Sequence, residues 1–344
     1  ATNRSVIAGL LSNTHGYTQV RLARLEKAKD GILDFMRAEC VYDPPIELQP
    51  NQRLESEPVY LAVDEIDPLE GLERFAAAVG VLNMHKPTRA ALPHGWDSWN
   101  TKYKFDINEE NMLAALSFID ARLKRYGWTH FSLDAGWELG KGNWEPNPEK
   151  FPHGMKWFVD QVHQRGMTVG IWVDPFTVTV NTPLAKEHPD WLAAPVGLGK
   201  SMLADDERIL DVTVPEAREY VKALFKKIAR EWGFDALVEA DFVYHLMFAE
   251  EFADAQVTRV EALRIGMTAI REGIGPGKFL MSMPPLPVTG VFVDGARIGS
   301  DCAPVWSKSD KSWAWGCVDT LTNAAHRYYF SPHLWYTDQD CAYF

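Results

Sequence analysis

Apolar and polar positions alternate regularly beyond about residue 90. Short apolar runs are separated by longer amphipathic stretches, a pattern typical of strands alternating with helices in a parallel α/β fold. The predicted strands lie at 94–99, 130–137, 168–175, 236–242, 279–284, 296–301 and 334–340. The predicted helices lie at 108–126, 155–165, 215–232, 251–272 and 312–329, and the third begins with a proline in its first turn.

Six of the seven apolar runs end in or near an aspartate, namely Asp97, Asp134, Asp174, Asp241, Asp301 and Asp338. In a (β/α)₈ TIM barrel the carboxyl ends of all strands converge on one face, where the active site is built. A doubly wound sheet would bring polar groups together only at its switch point. The pattern therefore favours a barrel. Because seven strands are visible, we expect a barrel that is incomplete at the C-terminus. A fragment of a longer or cleaved protein is favoured over a last strand supplied from elsewhere.

Residues before the barrel follow a different pattern. "SVIAGLLS" and "TQVRLARLE" read as strands, "PPIELQPNQRLESEPVYLAV" is extended and proline-rich, and "DPLEGLERFAAAVGVLNM" predicts a helix. We interpret residues 1–88 as the remnant of a β-rich N-terminal domain with a connecting helix. The catalytic barrel is predicted over 89–344, with the boundary in "HKPTRAALP" (85–93).

Composition excludes several kinds of partner. The net charge of −12 argues against nucleic acid, because phosphate binding needs a basic surface. The sequence contains no run of 18 apolar residues, which would predict a membrane span. No signal peptide is visible, so both a cytoplasmic and an exported protein fit the sequence. The spacing of the four cysteines contains no C-x-x-C motif and predicts isolated thiols at Cys40, Cys302, Cys317 and Cys341.

Signals for metals and cofactors are weak. "GLGKS" (197–201) lacks the upstream glycine of a phosphate loop, because Ala194 stands there. His153 and His163 lack a zinc spacing, and His245, the nearest candidate base for a magnesium-dependent barrel, reads as structural. We therefore predict no metal and no cofactor.

Carbohydrate chemistry fits the remaining features. The 13 tryptophans favour a sugar ligand slightly, since pyranose rings pack on flat aromatic faces, although most tryptophans fill cores. Glycoside hydrolysis needs two carboxyl groups that flank the scissile bond. The strand-end aspartates supply several candidates, and position alone does not select a pair.

A series of motifs resembles the clan D α-galactosidases, which comprise glycoside hydrolase families 36 and 27. In order along the chain they are "GWDSWN" (95–100), "LDAGW" (133–137), "NWEPNPEKFPHGMKWFVDQVHQRGMTVGIWVDP" (143–175), "WGFDALVEADF" (232–242) and "RIGSD" (297–301). The resemblance covers about residues 90–340. The β-rich segment before the barrel favours the melibiase-like family 36 over family 27, whose members begin near the barrel.

The resemblance implies roles for individual residues. Asp241 would be the nucleophile and Asp301 the general acid/base of a double displacement that retains the anomeric configuration. Substrate contacts would come from Trp96, Asp134, Trp137, Trp172, Asp174, Glu239 and Arg297.

Two positions depart from the family pattern. The second-strand motif usually has two adjacent acids, and here the second is Ala135. A lysine usually stands two residues before the nucleophile, and here that residue is Glu239. A hydrogen-bond donor has been replaced by an acceptor, which changes which sugar groups the site can recognise. Either the enzyme prefers another α-glycoside or a modified galactose, or Glu239 is a structural replacement in an ordinary α-galactosidase.

The leading functional interpretation is an α-galactosidase-like retaining hydrolase that acts on a glycoside or oligosaccharide. A raffinose-synthase-type transglycosylase and an inactive carbohydrate-binding homologue are the alternatives. The presence of both Asp241 and Asp301 argues against the inactive homologue. Family 36 members often form oligomers, so the resemblance also allows a homo-oligomer.

Overall fold

The computed structural model describes residues 5–24, 33–65, 67–84, 92–99, 101–235, 238–282, 290–308 and 314–340. Parts of the predicted strands 236–242 and 279–284 and most of the predicted boundary at 85–93 lie outside these residues. No helix within the described ranges is long and apolar enough to cross a membrane.

The N-terminal segment forms two antiparallel pairs of strands and one helix. Its elements are β1 (Ser5–Leu10), β2 (Tyr17–Arg24), β3 (Leu33–Val41), β4 (Val59–Glu65) and α1 (Pro68–Leu82). Strand β1 pairs with β4, and β2 pairs with β3. Helix α1 begins after Asp67, whose side chain accepts a hydrogen bond of 2.9 Å from the backbone N–H of Leu69. Strand β3 was not predicted from the sequence.

Strands and helices alternate through the rest of the chain. The elements are β5 (Gly95–Asp97), α2 (Glu109–Arg122), β6 (His130–Leu133), β7 (Glu138–Gly140), β8 (Asn143–Pro146), α3 (Gly154–His163), β9 (Thr168–Val173), β10 (Thr177–Thr179), α4 (Pro183–Glu187), β11 (Leu192–Ala193), α5 (Gly199–Met202), β12 (Glu207–Leu210), α6 (Pro215–Lys226), β13 (Val238–Ala240), α7 (Arg259–Ile274), β14 (Leu280–Ser282), β15 (Gly295–Arg297), α8 (Cys317–Arg327) and β16 (Tyr336–Asp338).

Seven parallel strands form the central sheet. Their spatial order is β5, β6, β9, β13, β14, β15 and β16, which is also their order along the chain. Six of them lie within a predicted apolar run, and β15 begins one residue before the predicted run 296–301. Strand β5 approaches β6 so closely at Gly95 that a Cβ there would lie 1.8 Å from the carbonyl oxygen of His130. Only a glycine fits at this position.

The sheet is curled. Strands β5 and β15 are five spacings apart, which is about 24 Å in a flat sheet. Trp99, just after β5, nevertheless donates its indole N–H to Asp301, just after β15, at 3.2 Å. A strongly curled sheet brings these two positions together, and the fold is thus a half-barrel of seven parallel strands. The complete eight-stranded barrel stays a prediction.

Local sequence explains where the main helices begin. Asn108 and Asn111 form a reciprocal capping box at the start of α2, and Thr258 and Glu261 form another at the start of α7. Thr258 places the start of α7 eight residues after the first residue of the predicted helix 251–272. Helix α6 starts at Pro215 and continues as a π-helix over Lys227–Trp232, ending at Gly233 with φ 88°.

Two insertions follow the second and third barrel strands. The hairpin β7–β8 and the small antiparallel sheet β10–β12–β11 were missed by the sequence interpretation. Their strands are only two to four residues long, too short for a period-2 pattern. Both insertions lie beside the strand ends that carry Asp134 and Asp174.

Candidate active site

Asp241 lies directly after β13 and is almost fully buried, with 7% of its surface exposed. Its Oδ2 accepts a hydrogen bond of 2.9 Å from the indole Nε1 of Trp172, and its Oδ1 accepts one of 2.7 Å from the backbone N–H of Phe242. Burial raises the pKa of Asp241, while these two bonds and the charge of Arg297 oppose the rise. The carboxylate is therefore fixed in one orientation.

The residue after Asp241 has an unusual backbone conformation. Phe242 has a φ of 50°, in the left-handed region that a phenylalanine rarely adopts. Its ring stacks on His245 with centroids 5.1 Å apart and planes 9° apart. The ring stack is a contact that supports the left-handed backbone conformation of Phe242 directly after Asp241.

Asp301 lies on the loop beyond β15, four residues after Arg297. Its Oδ1 accepts a hydrogen bond of 2.5 Å from Nη2 of Arg297, and its Oδ2 accepts the bond from Trp99. Its side chain is 32% exposed. The charge of Asp301 is one of the causes that raise the pKa of Asp241, so the two carboxyl groups lie within electrostatic reach of each other.

Arg297 connects this loop to the last strand. Its Nη2 also lies 3.2 Å from Oδ2 of Asp340, and the backbone N–H of Cys302 donates to the same carboxylate oxygen. Burial alone would lower the pKa of Arg297, but the carboxyl groups of Asp340, Glu239 and Asp301 outweigh burial and raise it. Arg297 therefore stays charged.

A cavity of about 480 Å³ opens inside the curled sheet. Besides Arg297, its lining includes the aromatic rings of Trp96 and Trp99. Its carboxyl groups belong to Asp97, Asp134, Glu239, Asp338 and Asp340.

Most of the lining carboxyl groups bind protons more tightly than usual. Burial raises the pKa of Asp97 and that of Asp338 to about 6. Burial and then the neighbouring carboxyl groups raise the pKa values of Asp134 and Glu239 well above their ordinary values. The cavity therefore gathers acids whose protonation states depend on one another.

The two departures from the family pattern lie at this cavity or beside it. Glu239, on β13, lines the cavity and is 6% exposed, and Asp241, Asp134 and Arg297 all affect its pKa. Ala135 follows Asp134 and is 4% exposed. Glu239 thus provides a carboxyl group, and the side chain of Ala135 provides no hydrogen-bonding group.

Asp174 is completely buried and pairs with a lysine that the sequence interpretation did not identify. Nζ of Lys141, from the turn of the β7–β8 hairpin, lies 3.2 Å from Oδ2 of Asp174 and 2.8 Å from Oε1 of Glu207. Burial raises the pKa of Asp174 to about 7, although Lys141 opposes the rise. The residues that line the cavity do not include Asp174, and they do not include Asp241, Asp301 or Trp172 either.

The three predicted tryptophans differ in their surroundings. Trp96 lines the cavity and packs on Phe131 with ring centroids 4.7 Å apart. Trp172 is 6% exposed and contacts Asp241, as described above. Trp137 is fully buried in the core, where its Nε1 donates to the carbonyl oxygen of Trp172 at 3.0 Å. Its geometry is that of a support for Trp172.

Three residues at the site were not proposed from the sequence as site residues. Trp99 could have been found, because it follows Asp97 by two residues in the "GWDSWN" motif. Asp340 could also have been found, because it follows the strand-end Asp338 by two residues. Lys141 had no signal, since its position depends on the unpredicted hairpin. Among the described residues, no group of three or more His, Cys, Asp or Glu side chains could hold a metal ion.

Comparison with known proteins points in one direction. The sequence profile of the Melibiase family matches residues 84–269, which are 186 of the 344 residues. α-Galactosidase Mel36A of Lactobacillus acidophilus is 27% identical over 204 residues, or 56% of this chain and 25% of that protein. The α-galactosidase of Escherichia coli is 25% identical over 229 residues, or 64% of this chain and 31% of that protein. The chain thus matches a quarter to a third of the length of these relatives.

The solved structures show the same similarity in three dimensions. TtGalA, an α-galactosidase from Thermus thermophilus solved with p-nitrophenyl α-D-galactopyranoside, superposes with a TM-score of 0.71 and 25% identity. The superposition covers 99% of this chain and 64% of that chain. The stachyose complex of TtGalA gives a TM-score of 0.72 at 24% identity.

Proposed function

The chain belongs to the melibiase family of α-galactosidase-like glycoside hydrolases, and on that basis we propose that it hydrolyses a terminal α-linked sugar with retention of configuration. The observation that carries the proposal is that Asp241, directly after β13, and Asp301, on the loop beyond β15, lie within electrostatic reach of each other, since the charge of Asp301 raises the pKa of Asp241 although 60 positions separate them along the chain. The relatives are α-galactosidases, and TtGalA binds an aryl galactoside.

In the proposed first step, Asp241 attacks the anomeric carbon and forms a covalent glycosyl-enzyme. Its two hydrogen bonds to Trp172 and Phe242 orient it for this attack. Asp301 protonates the leaving oxygen, and its partial exposure suits a group that must meet varied leaving groups. In the second step Asp301 takes a proton from water, which attacks the same carbon and releases the sugar.

We propose that the sugar-binding residues are those that line or border the cavity. Trp96 and Trp172 form apolar walls, Asp134 accepts hydrogen bonds from hydroxyl groups, and Arg297 orients Asp301. For Asp174 and Trp137 we propose indirect roles, since Asp174 is paired with Lys141 and Trp137 supports Trp172.

Glu239 is proposed to alter sugar recognition. A buried carboxyl group that lines the cavity beside Asp241 accepts hydrogen bonds or shares a proton, whereas a lysine there would only donate. A site built around hydrogen bonds rejects a sugar that leaves its groups unpaired. We therefore propose that a simple terminal α-galactoside is not the preferred substrate.

A panel of p-nitrophenyl α-glycosides tests the specificity. We expect another α-glycoside or a modified galactoside to have the highest kcat/KM, and we expect Glu239→Gln to change the ranking of the sugars. If the unmodified α-galactoside is cleaved far faster than all others, the altered specificity is wrong and Glu239 is a structural replacement.

The stereochemistry tests the mechanism separately. Proton NMR of the first product should show the α-anomer before mutarotation. A β-anomer would contradict the double displacement, and a product joined to an added sugar acceptor would identify a transglycosylase. No turnover on any α-glycoside would leave carbohydrate binding as the better interpretation.

A further inference from the structure

Two cysteine side chains lie next to each other beside Asp301. Cys302 directly follows Asp301 and is buried, with 1% of its surface exposed, while Cys317 begins α8 and is half-buried. Their Sγ atoms are 3.9 Å apart. A disulfide has its sulfurs about 2.05 Å apart, so bond formation needs an approach of about 1.9 Å. The pair is separated by 15 positions in sequence, so no short motif reveals it.

The backbone segments that carry the two cysteines are already joined. The carbonyl oxygen of Asp301 accepts a hydrogen bond of 3.0 Å from the N–H of Trp315, and Ala303 donates its N–H to Trp315 at 2.7 Å. Cys317 donates its own N–H to Val305 at 2.9 Å. These bonds keep the two thiols near each other, so that closing the gap requires only local side-chain and backbone adjustment.

We propose that Cys302 and Cys317 form a reversible disulfide, with a low-molecular-weight disulfide as oxidant, and that this bond lowers catalytic activity by displacing Asp301. The thiols would thus be a modification site next to the acid/base residue. Formation of the bond is independent of the proposed function, whereas its effect on activity rests on the proposed role of Asp301.

The chemistry balances as two thiol–disulfide exchanges. The thiolate of Cys317, the more accessible sulfur, attacks the oxidant disulfide and releases one free thiol. The thiolate of Cys302 then attacks Sγ of Cys317 in the mixed disulfide and releases the second thiol. The two cysteine thiols are oxidised, and the oxidant is reduced from one disulfide to two thiols. Burial raises the pKa of the Cys302 thiol, which makes the second exchange the slower one.

Displacement of Asp301 follows from the contacts of Cys302. Its N–H donates to Asp340, Asp340 pairs with Arg297, and Arg297 donates to Asp301. Movement of Cys302 towards α8 therefore disturbs two groups that position Asp301. One is the peptide bond between Asp301 and Cys302, and the other is the guanidinium of Arg297. Misplacement of a catalytic group by about 1 Å can reduce the rate about 100-fold. We expect kcat to fall by about tenfold or more on oxidation and to recover on reduction.

Mass spectrometry and kinetics on the whole protein test the proposal. After treatment with oxidised glutathione, the intact protein should lose two hydrogen atoms, and peptide mapping should join Cys302 to Cys317. Cys317→Ser should prevent this bond and the loss of kcat while keeping the activity of the untreated enzyme. Cys40→Ser and Cys341→Ser should respond like the wild type, and dithiothreitol should restore the activity.

Three results would overturn the proposal: thiols that stay reduced, a disulfide that joins either cysteine to Cys341, or an oxidised protein with unchanged kcat. A Cys302–Cys317 disulfide in a protein that cleaves no α-glycoside even when reduced would contradict the proposed function and still support the disulfide.

Discussion

The two carboxyl groups at the centre of the site are held in different ways. Asp241 directly follows a strand, is 7% exposed, and is fixed by a buried indole and by the next backbone N–H. Asp301 is four residues beyond its strand, has a side chain that is 32% exposed, and is held by an arginine and by a half-buried indole. A nucleophile must reach one carbon at one angle, whereas an acid/base must serve a leaving group and then water. The difference in restraint is the one expected if Asp241 and Asp301 have the two roles proposed above.

The largest effect on activity should come from replacing Asp241, the more tightly held carboxyl group. We expect Asp241→Ala to reduce kcat on the order of 10⁴-fold or more with every leaving group, because no glycosyl-enzyme can form. Added azide should restore some turnover and give the β-glycosyl azide, which gas chromatography or NMR identifies. Residual activity near that of the wild type would show that Asp241 is not the nucleophile.

The exposed partner should show a loss that depends on the leaving group. Asp301→Ala should reduce kcat/KM by about 10²- to 10⁴-fold for an alkyl glycoside and much less for a p-nitrophenyl glycoside, whose leaving group needs little protonation. Azide should here give the α-glycosyl azide, because it attacks the glycosyl-enzyme formed by Asp241. Equal losses for both leaving groups would contradict the assignment of Asp301.

Each carboxyl group accepts one hydrogen bond from an indole, so replacing Trp172 or Trp99 compares Asp241 and Asp301 by the loss of a single bond. Trp172→Phe removes a bond that lowers the pKa of Asp241, so that pKa should rise further and the acid limb of kcat/KM should move to higher pH. At pH values on the acid limb we expect kcat/KM to fall about tenfold, because one hydrogen bond to a charged group is lost. Trp99→Phe, the matched variant at Asp301, should lower kcat/KM without moving that limb. A similar shift in both variants would contradict the separate roles.

The smallest effect should appear in stability. The pKa of Asp338 is raised to about 6, so its protonated form stabilises the folded state below about pH 4 and this contribution is lost as the pH rises through 6. Asp338→Asn should therefore raise the free energy of unfolding by about 1–2 kcal/mol at pH 8 and change it little at pH 4. Urea unfolding at both pH values measures this difference. The exposed Asp205→Asn is the control, and an equal gain at both pH values would refute the explanation.

The sequence predicted the sheet well and the details of the site less well. All seven parallel strands and the strand-end positions of Asp97, Asp134, Asp174 and Asp241 follow from apolar runs of six to eight residues. The family resemblance, not the pattern, selected Asp241 and Asp301 from six aspartates. Contacts that arise from the curl could not be read from the sequence, such as Trp99 with Asp301. Lys141 and the Cys302–Cys317 pair depend on loop conformations that have no periodic signal.

The balance of charge in the cavity has a consequence for which sugars can enter. Five carboxyl groups and one guanidinium line its described walls, and that guanidinium is already shared between Asp301 and Asp340. Above about pH 6, where Asp97 and Asp338 are ionised, uronic acids and sugar phosphates would bring further negative charge to a site that is short of cations, and we expect them to be repelled. Iminosugars and amino sugars carry a protonated nitrogen, so the same field should concentrate them at the entrance. We therefore expect the carboxyl groups of the cavity to favour neutral and cationic sugars over anionic ones.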